Sequence, residues 1–204
     1  MIQKRAIDAF GWSGTSIEKP FIVIPRIDGS DNLPHGFVGD SFAHVLFRGG
    51  YIKNPTGENP DSTDDRVAHC IQLRHSRSCT IYKTQFTGGG DQASLFNCWN
   101  CTIDAATFKG KLLACEWEVI IDGPDGQNCT LRNMTLQKGI GIFGGSGHAV
   151  ENVACPKLQV DDYYYHAPIS VKLVRVKCQT LFIRGDVTLE FEGCKRKGKG
   201  VVRA

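Results

Sequence analysis

No stretch of the 204 residues stays apolar for the roughly 20 positions that a membrane-spanning helix needs. The opening Met1-Ile2-Gln3-Lys4-Arg5 also lacks the apolar core of a secretory signal. The chain is therefore expected to be soluble, made in a cytosol and without a membrane partner. Charge is scarce and balanced: charged residues make up 22% and the formal net charge is +3. That balance excludes a disordered polyelectrolyte and speaks against nucleic acid as the main partner. No segment keeps a 3.6-residue apolar stripe for long, so helices are not expected to build the core. What the chain does have is 23 glycines among many short apolar runs, the composition of strands and turns. Its length fits one domain.

The nine cysteines are an odd number, which leaves at least one unpaired in any disulfide scheme. Cys98 and Cys101 form one isolated CxxC, and no second pair supplies the spacing of a zinc site. Reduced, buried thiols acting as small hydrophobes are expected, with no metal or other cofactor.

Those cysteines fall within a repeated phrase. Ser78-Cys79-Thr80-Ile81, Asn100-Cys101-Thr102-Ile103 and Asn128-Cys129-Thr130-Leu131 are three copies, each followed five residues after its last member by Phe86, Phe108 or Leu136. The offsets persist through His148/Val150/Cys155, Val171/Leu173/Cys178 and Val187/Leu189/Cys194, although successive starts lie between 16 and 28 residues apart. A fixed phrase with variable connections is how stacked repeats behave, since paired strands must keep register while outer loops lengthen freely. A second track precedes each start: Ile71/Leu73, Ala93/Leu95, Val119/Ile121, Ile140/Ile142, Tyr163/Tyr165 and Leu181/Ile183.

Alternation of period two turns Cys79 and Ile81 inward and Thr80 outward. Stacking then sets Cys79, Cys101 and Cys129 in one ladder, Ile81, Ile103 and Leu131 in a second, and Phe86, Phe108 and Leu136 in a third, with about 4.8 Å between rungs. The expected fold is all-β: a right-handed parallel β-helix over 41–194, preceded by an N-terminal arm and cap at 1–40 and followed by a basic tail at 195–204. An open stack exposes strand edges at both ends, which caps or copies of the same chain must cover.

From about residue 42 to 194 these features resemble the right-handed β-helix proteins, a group that includes pectate-lyase-like enzymes and bacteriophage tailspikes, fibres and surface decorations. The resemblance lies in architecture and not in a functional motif. It implies a homotrimer, as is usual among the phage members.

Enzymes of that group place acids, bases or calcium ligands on one outward face. Acids occur here as Asp64-Asp65 and Asp161-Asp162, with Glu116, Glu118, Asp122 and Asp125 between them. The polygalacturonase-like order of phrases is not met, because Gly147-His148-Ala149 precedes Asp161-Asp162 and the flanking phrases are missing. No catalytic residue is therefore assigned, and most of these acids read as turn formers. The most distinctive cluster is Asp161-Asp162-Tyr163-Tyr164-Tyr165-His166: with Tyr163 and Tyr165 in the core, Asp162, Tyr164 and His166 remain outside to meet a partner protein or a glycan. Arg184-Gly185-Asp186 reads as a turn. Lys195, Arg196, Lys197, Lys199 and Arg203 give the tail five positive charges and no acid, suited to docking on an acidic protein surface.

The functional expectation is a non-enzymatic structural protein of a virus particle, a bacteriophage capsid decoration, cement or spike protein. It would be made in the host cytoplasm, lie on the virion surface, and bind a capsid or tail protein. The alternatives are a carbohydrate-active β-helix and a glycan-binding fibre tip without turnover, both with a surface glycan as partner. All of these rest partly on likeness of fold.

Overall fold

Short strands that all run one way require the chain to come round fully before each meets its neighbour. The computed structural model describes residues 5–23, 35–54, 69–88, 92–109, 117–162, 164–194 and 201–203. Among them every strand pairing is parallel. The protein is all-β, with a 16-stranded sheet that curls almost shut and a four-stranded sheet beside it.

Three columns of strands organise it. The first contains β1 (Arg5–Phe10), β4 (His35–Asp40), β7 (Ile71–Arg74), β10 (Ala93–Phe96), β13 (Val119–Asp122) and β15 (Gly139–Ile142). The second contains β2 (Ser16–Glu18), β5 (Leu46–Arg48), β8 (Thr80–Tyr82), β11 (Thr102–Asp104) and β14 (Thr130–Thr135). The third is the smaller sheet, β3 (Phe21–Val23), β6 (Tyr51–Asn54), β9 (Gln85–Gly88) and β12 (Thr107–Lys109). The long β16 (His148–Asp161) pairs with β14 along its first half and β15 along its second, joining two columns into one curled sheet. Beyond it, β17 (Ile169–Val174) pairs with β19 (Val187–Glu192), and β18 (Lys177–Arg184) with β20 (Val201–Arg203).

Register turns the sequence phrase into a core. Ile81, Ile103 and Leu131 are consecutive partners across β8, β11 and β14, and all three are buried. Cys79, Cys101 and Cys129 lie beside them, also buried, with the Cys79 amide 3.4 Å from Cys101 Sγ. Burial pushes the thiols of Cys129 and Cys155 up to about 12, so they stay protonated and unreactive. The rings of Phe86 and Phe108 stack at 5.4 Å, and Leu136, buried in the next layer, sends its N–H to the Ala154 carbonyl. Each fully buried aliphatic or aromatic side chain in such a column contributes about 1.5–3 kcal/mol.

The chain bends between columns at residues with positive φ. Ser41, His75, Asn97 and Gly123 mark one bend, His44, Ser78, Asn100 and Asn128 another, and Lys19, Lys83, Ala105, Asn133, Asn152 and Arg175 a third. At the third bend the strain is offset by a polar ladder. Asn133 Nδ2 donates to Asp104 Oδ1 (2.8 Å), Asn152 Nδ2 to Asn133 Oδ1 (3.1 Å), and Arg175 Nε to Asn152 Oδ1 (2.5 Å). Ala105, at φ 52, has no side-chain polar group to join that ladder. A left-handed conformation costs a non-glycine residue about 1–2 kcal/mol, and glycine loses part of that gain to chain entropy. Ala105→Gly is therefore expected to stabilise the fold by about 0.5–1 kcal/mol, read as a raised midpoint in urea.

Three expectations need correction. The stretch at 1–40 is not simply an arm and cap, because β1, β2 and β3 pair in register with β4, β5 and β6 as a full layer. In the first column the partners of Leu181 and Ile183 are Leu158 and Val160, not Tyr163 and Tyr165. Continuous β16 supplies that rung, Tyr165 falls in the loop after it, and Tyr163 lies outside the described residues. The last rung is slipped by two residues: Val187 pairs with Ile169, and Val171 with Leu189. Cys194 accordingly meets the Val176 amide at 3.4 Å.

Candidate functional site

The cluster singled out in sequence sits where β16 ends. Asp161 is fully buried and takes a two-pronged contact from Arg184, Nε to Oδ1 at 2.8 Å and Nη2 to Oδ2 at 2.6 Å. Asp162 then starts a turn, its carbonyl accepting the N–H groups of Tyr165 (3.2 Å) and His166 (2.8 Å). Its Oδ2 accepts the Asp186 N–H at 2.7 Å. The Arg184-Gly185-Asp186 turn can approach so closely because Gly185 has φ +83 and no Cβ; a built Cβ would fall 1.6 Å from Asp162 Oδ1.

Tyr164 is 67% exposed and sets its ring edge against Phe143 at 5.9 Å. Phe143 in turn meets Trp117 at 5.8 Å, and the Lys157 ammonium lies 4.2 Å above the Trp117 ring. Trp117, Ile120 and Phe143 form a small outer core on the back of the sheet. Gly141 makes the room, since a Cβ there would lie 2.4 Å from Phe143. Half-buried Tyr165 engages the Asp122 carboxylate, whose pKa is raised chiefly by burial against the Gly123 N–H and the Tyr165 hydroxyl. Burial, with Asp122 nearby, likewise raises the Tyr165 phenol.

This arrangement offers a partner one tyrosine face and an exposed imidazole at His166, with Asp162 half-buried between strands. Asp122, Asp161 and Asp162 are each occupied within the fold. Glu118 is buried, its carboxylate accepting the Gln137 and Lys138 N–H groups, and burial raises its pKa. Asp125 is exposed on the loop after β13, while Asp64, Asp65 and Glu116 lie outside the described residues. So do Lys195, Arg196, Lys197 and Lys199 of the tail; Arg203 lies in β20, opposite Ile183. Among the described residues no group of three or more His, Cys, Asp or Glu is placed to hold a metal ion. No helix among them is long and apolar enough to cross a membrane.

A second surface went unread in the sequence. Seven large apolar side chains are exposed among the described residues, and five of them, Ile7, Phe10, Trp12, Phe21 and Val23, belong to the first layer. Ile7, Ile17 and Ile22 end the three inner columns, while Phe10 (76% exposed) and Phe21 (78%) point outward. Among the described residues β1, β2 and β3 are also terminal strands, each paired on one side only. The signal was available: Ile17 and Ile22 keep the five-residue offset of Ile81 and Phe86, as do Phe47 and Ile52.

Comparison with family models, curated proteins and solved structures returns no match to this chain.

Proposed function

We propose that this chain is a right-handed parallel β-helix that serves as a non-enzymatic structural protein of a virus particle, a bacteriophage decoration, cement or spike protein working as a homotrimer. The observation that carries the reading is the first layer, which is apolar inside, exposes Phe10 and Phe21 outward and, among the described residues, leaves three strand edges open. A layer of that kind suits burial on all sides, and exposed edges are an invitation to strand pairing. Attachment to a capsid or tail protein would cover both, with the stacked core as a rigid rod projecting from the virion surface.

The test is decoration of particles by a Phe10→Asp/Phe21→Asp variant. Both rings are largely in water, so the fold is expected to persist by circular dichroism while co-sedimentation with particles weakens about tenfold or more. Equal decoration by parent and variant would remove the reading.

A second reading is favoured by the exposure of Tyr164 beside His166: glycan binding, with or without turnover, on that outer face. Binding without cleavage is the better-supported form, since the nearby carboxylates already hold internal partners. Release of reducing ends from a host surface polysaccharide would instead favour a carbohydrate-active enzyme.

A further inference from the structure

Charge is divided across one bend of the later layers. A groove crosses β14, β16 and β18, beyond the layer in which the smaller sheet ends. It consists of two depressions of about 420 and 470 Å³ that share Thr135, Ala154 and Lys177. Volumes of that order are those of small binding clefts. The charged residues lining it are Arg175 and Lys177, both basic. Arg175 is fixed by its hydrogen bond to Asn152, whereas Lys177 is exposed and makes no ion pair among the described residues. Gly193, just past β19, forms part of the wall.

On the other side of that bend, the outer face of β16, β17 and β19 is acidic. Glu190 is the register partner of Lys172, Glu151 lies one outward step further along, between Arg132 and Val174, and Glu192 Oε2 lies 3.0 Å from the Lys172 ammonium. On these three strands three carboxylates stand around one amine, and Arg175 faces Glu192 from across the bend. This face borders an edge strand, since among the described residues β19 pairs with β17 alone, and the neighbouring Phe191 is exposed.

We propose that in the assembled homo-oligomer the basic groove of one copy receives the acidic β19 face of the next, so that Lys177 meets the partner subunit's Glu190. Lys177 and Glu190 are both exposed and in no ion pair among the described residues, so each offers an open charge to the other sign. Two different patches pair either reciprocally across a two-fold axis or head to tail around a ring, and a head-to-tail contact closes only when the patches are turned relative to each other. The bend at Asn152, Arg175 and Gly193 supplies such a turn. Three copies joined head to tail make the homotrimer proposed above, whereas reciprocal pairing would give a dimer, and native mass separates the two.

The homotrimer is presupposed, and the two ideas fail differently. Lys177→Glu and Glu190→Lys are compared singly and together by native mass measurement and sedimentation of the full chain, with thermal melts to verify folding. Both positions are exposed, so the fold should hold. Each reversal alone is expected to weaken self-association about tenfold or more, and the double variant to recover to within about threefold of the parent. Added salt is expected to weaken the parent and the double variant alike, since the swap keeps one cation facing one anion. Single variants that assemble like the parent would keep a trimer but remove this interface, as would a double variant in which the two losses add. A parent chain that stays monomeric and captures a synthetic Glu-rich peptide through Lys177 would overturn it in favour of another protein as the occupant. Attachment through Phe10 and Phe21 is read on particles, and self-association on free protein, so neither result stands in for the other.

Discussion

Ile103→Asp is expected to abolish cooperative folding. Ile103 is fully buried between Ile81 and Leu131, in the middle of the second column. The substitution removes about 1.5–3 kcal/mol of burial and places a carboxylate among Cys101, Ile81 and Leu131, where no cation is at hand. An uncompensated buried charge costs several kcal/mol more, and a domain of this size has only about 5–15 kcal/mol in total. Thr102→Asp is the control, since Thr102 is the adjacent residue on the outward face and should change stability by less than about 1 kcal/mol. Circular dichroism melts of both variants check the pair. A soluble Ile103→Asp protein that melts with the parent would place Ile103 outside the core.

The contrast between neighbours also explains what could be read without coordinates. Inward positions were legible wherever the Cys-Thr-Ile phrase recurred, because a side chain buried between identical neighbours tolerates few residue types. The same logic failed at 187–194, where Val187, Leu189 and Cys194 imitate the offsets of Val171, Leu173 and Cys178 but pair two residues out of step. Alternating apolar residues look alike when moved by two, so periodicity cannot choose between those registers. Tyr163 and Tyr165 misled for a related reason: they alternate like a strand, yet Leu158 and Val160 already fill that rung.

Other features leave little trace in residue type. Bends at Lys83, Ala105 and Arg175 adopt positive φ without a glycine or asparagine to announce them. There the hydrogen bonds of the flanking layers dictate the conformation, as when the Ala105 N–H meets the Arg132 carbonyl. In the cluster at 161–166, Tyr164 and His166 are exposed as expected, but on a turn closed by the Asp162 carbonyl and not by strand alternation. The pinning of Asp162 by the Asp186 N–H was not legible, because it joins residues 24 apart in sequence. The groove at Lys177 requires three layers at once, which no local pattern describes.

His148 should make the protein sensitive to acid, and the size of that effect follows from its place in the cysteine ladder. It is the residue after Cys79, Cys101 and Cys129 in that column, and it is buried as they are. Nδ1 accepts the Cys129 N–H at 3.2 Å while Nε2 faces the Gly144 carbonyl at 3.1 Å, a pairing that the neutral Nε2–H tautomer satisfies completely. Protonation would turn Nδ1 into a second donor facing a donor, and would charge the core. Burial accordingly lowers the His148 pKa from 6.5 to about 4, with the Gly144 carbonyl opposing. For a base with a depressed folded value, the stabilisation is whole above about 6.5 and is lost as the pH falls towards 4, amounting to about 3 kcal/mol. Glu118 works in the opposite direction, since burial raises its pKa above 4.5 and its protonation eases folding as acid is added. The two are separated by difference: the stability of the parent minus that of His148→Gln, measured in urea from pH 7 to pH 4, should fall by about 3 kcal/mol. Parallel curves would mean that the imidazole takes its proton in the folded chain as readily as in the unfolded one. A falling difference would identify His148 as a neutral rung of the core, held there for its two hydrogen bonds and not as a base for chemistry on the surface.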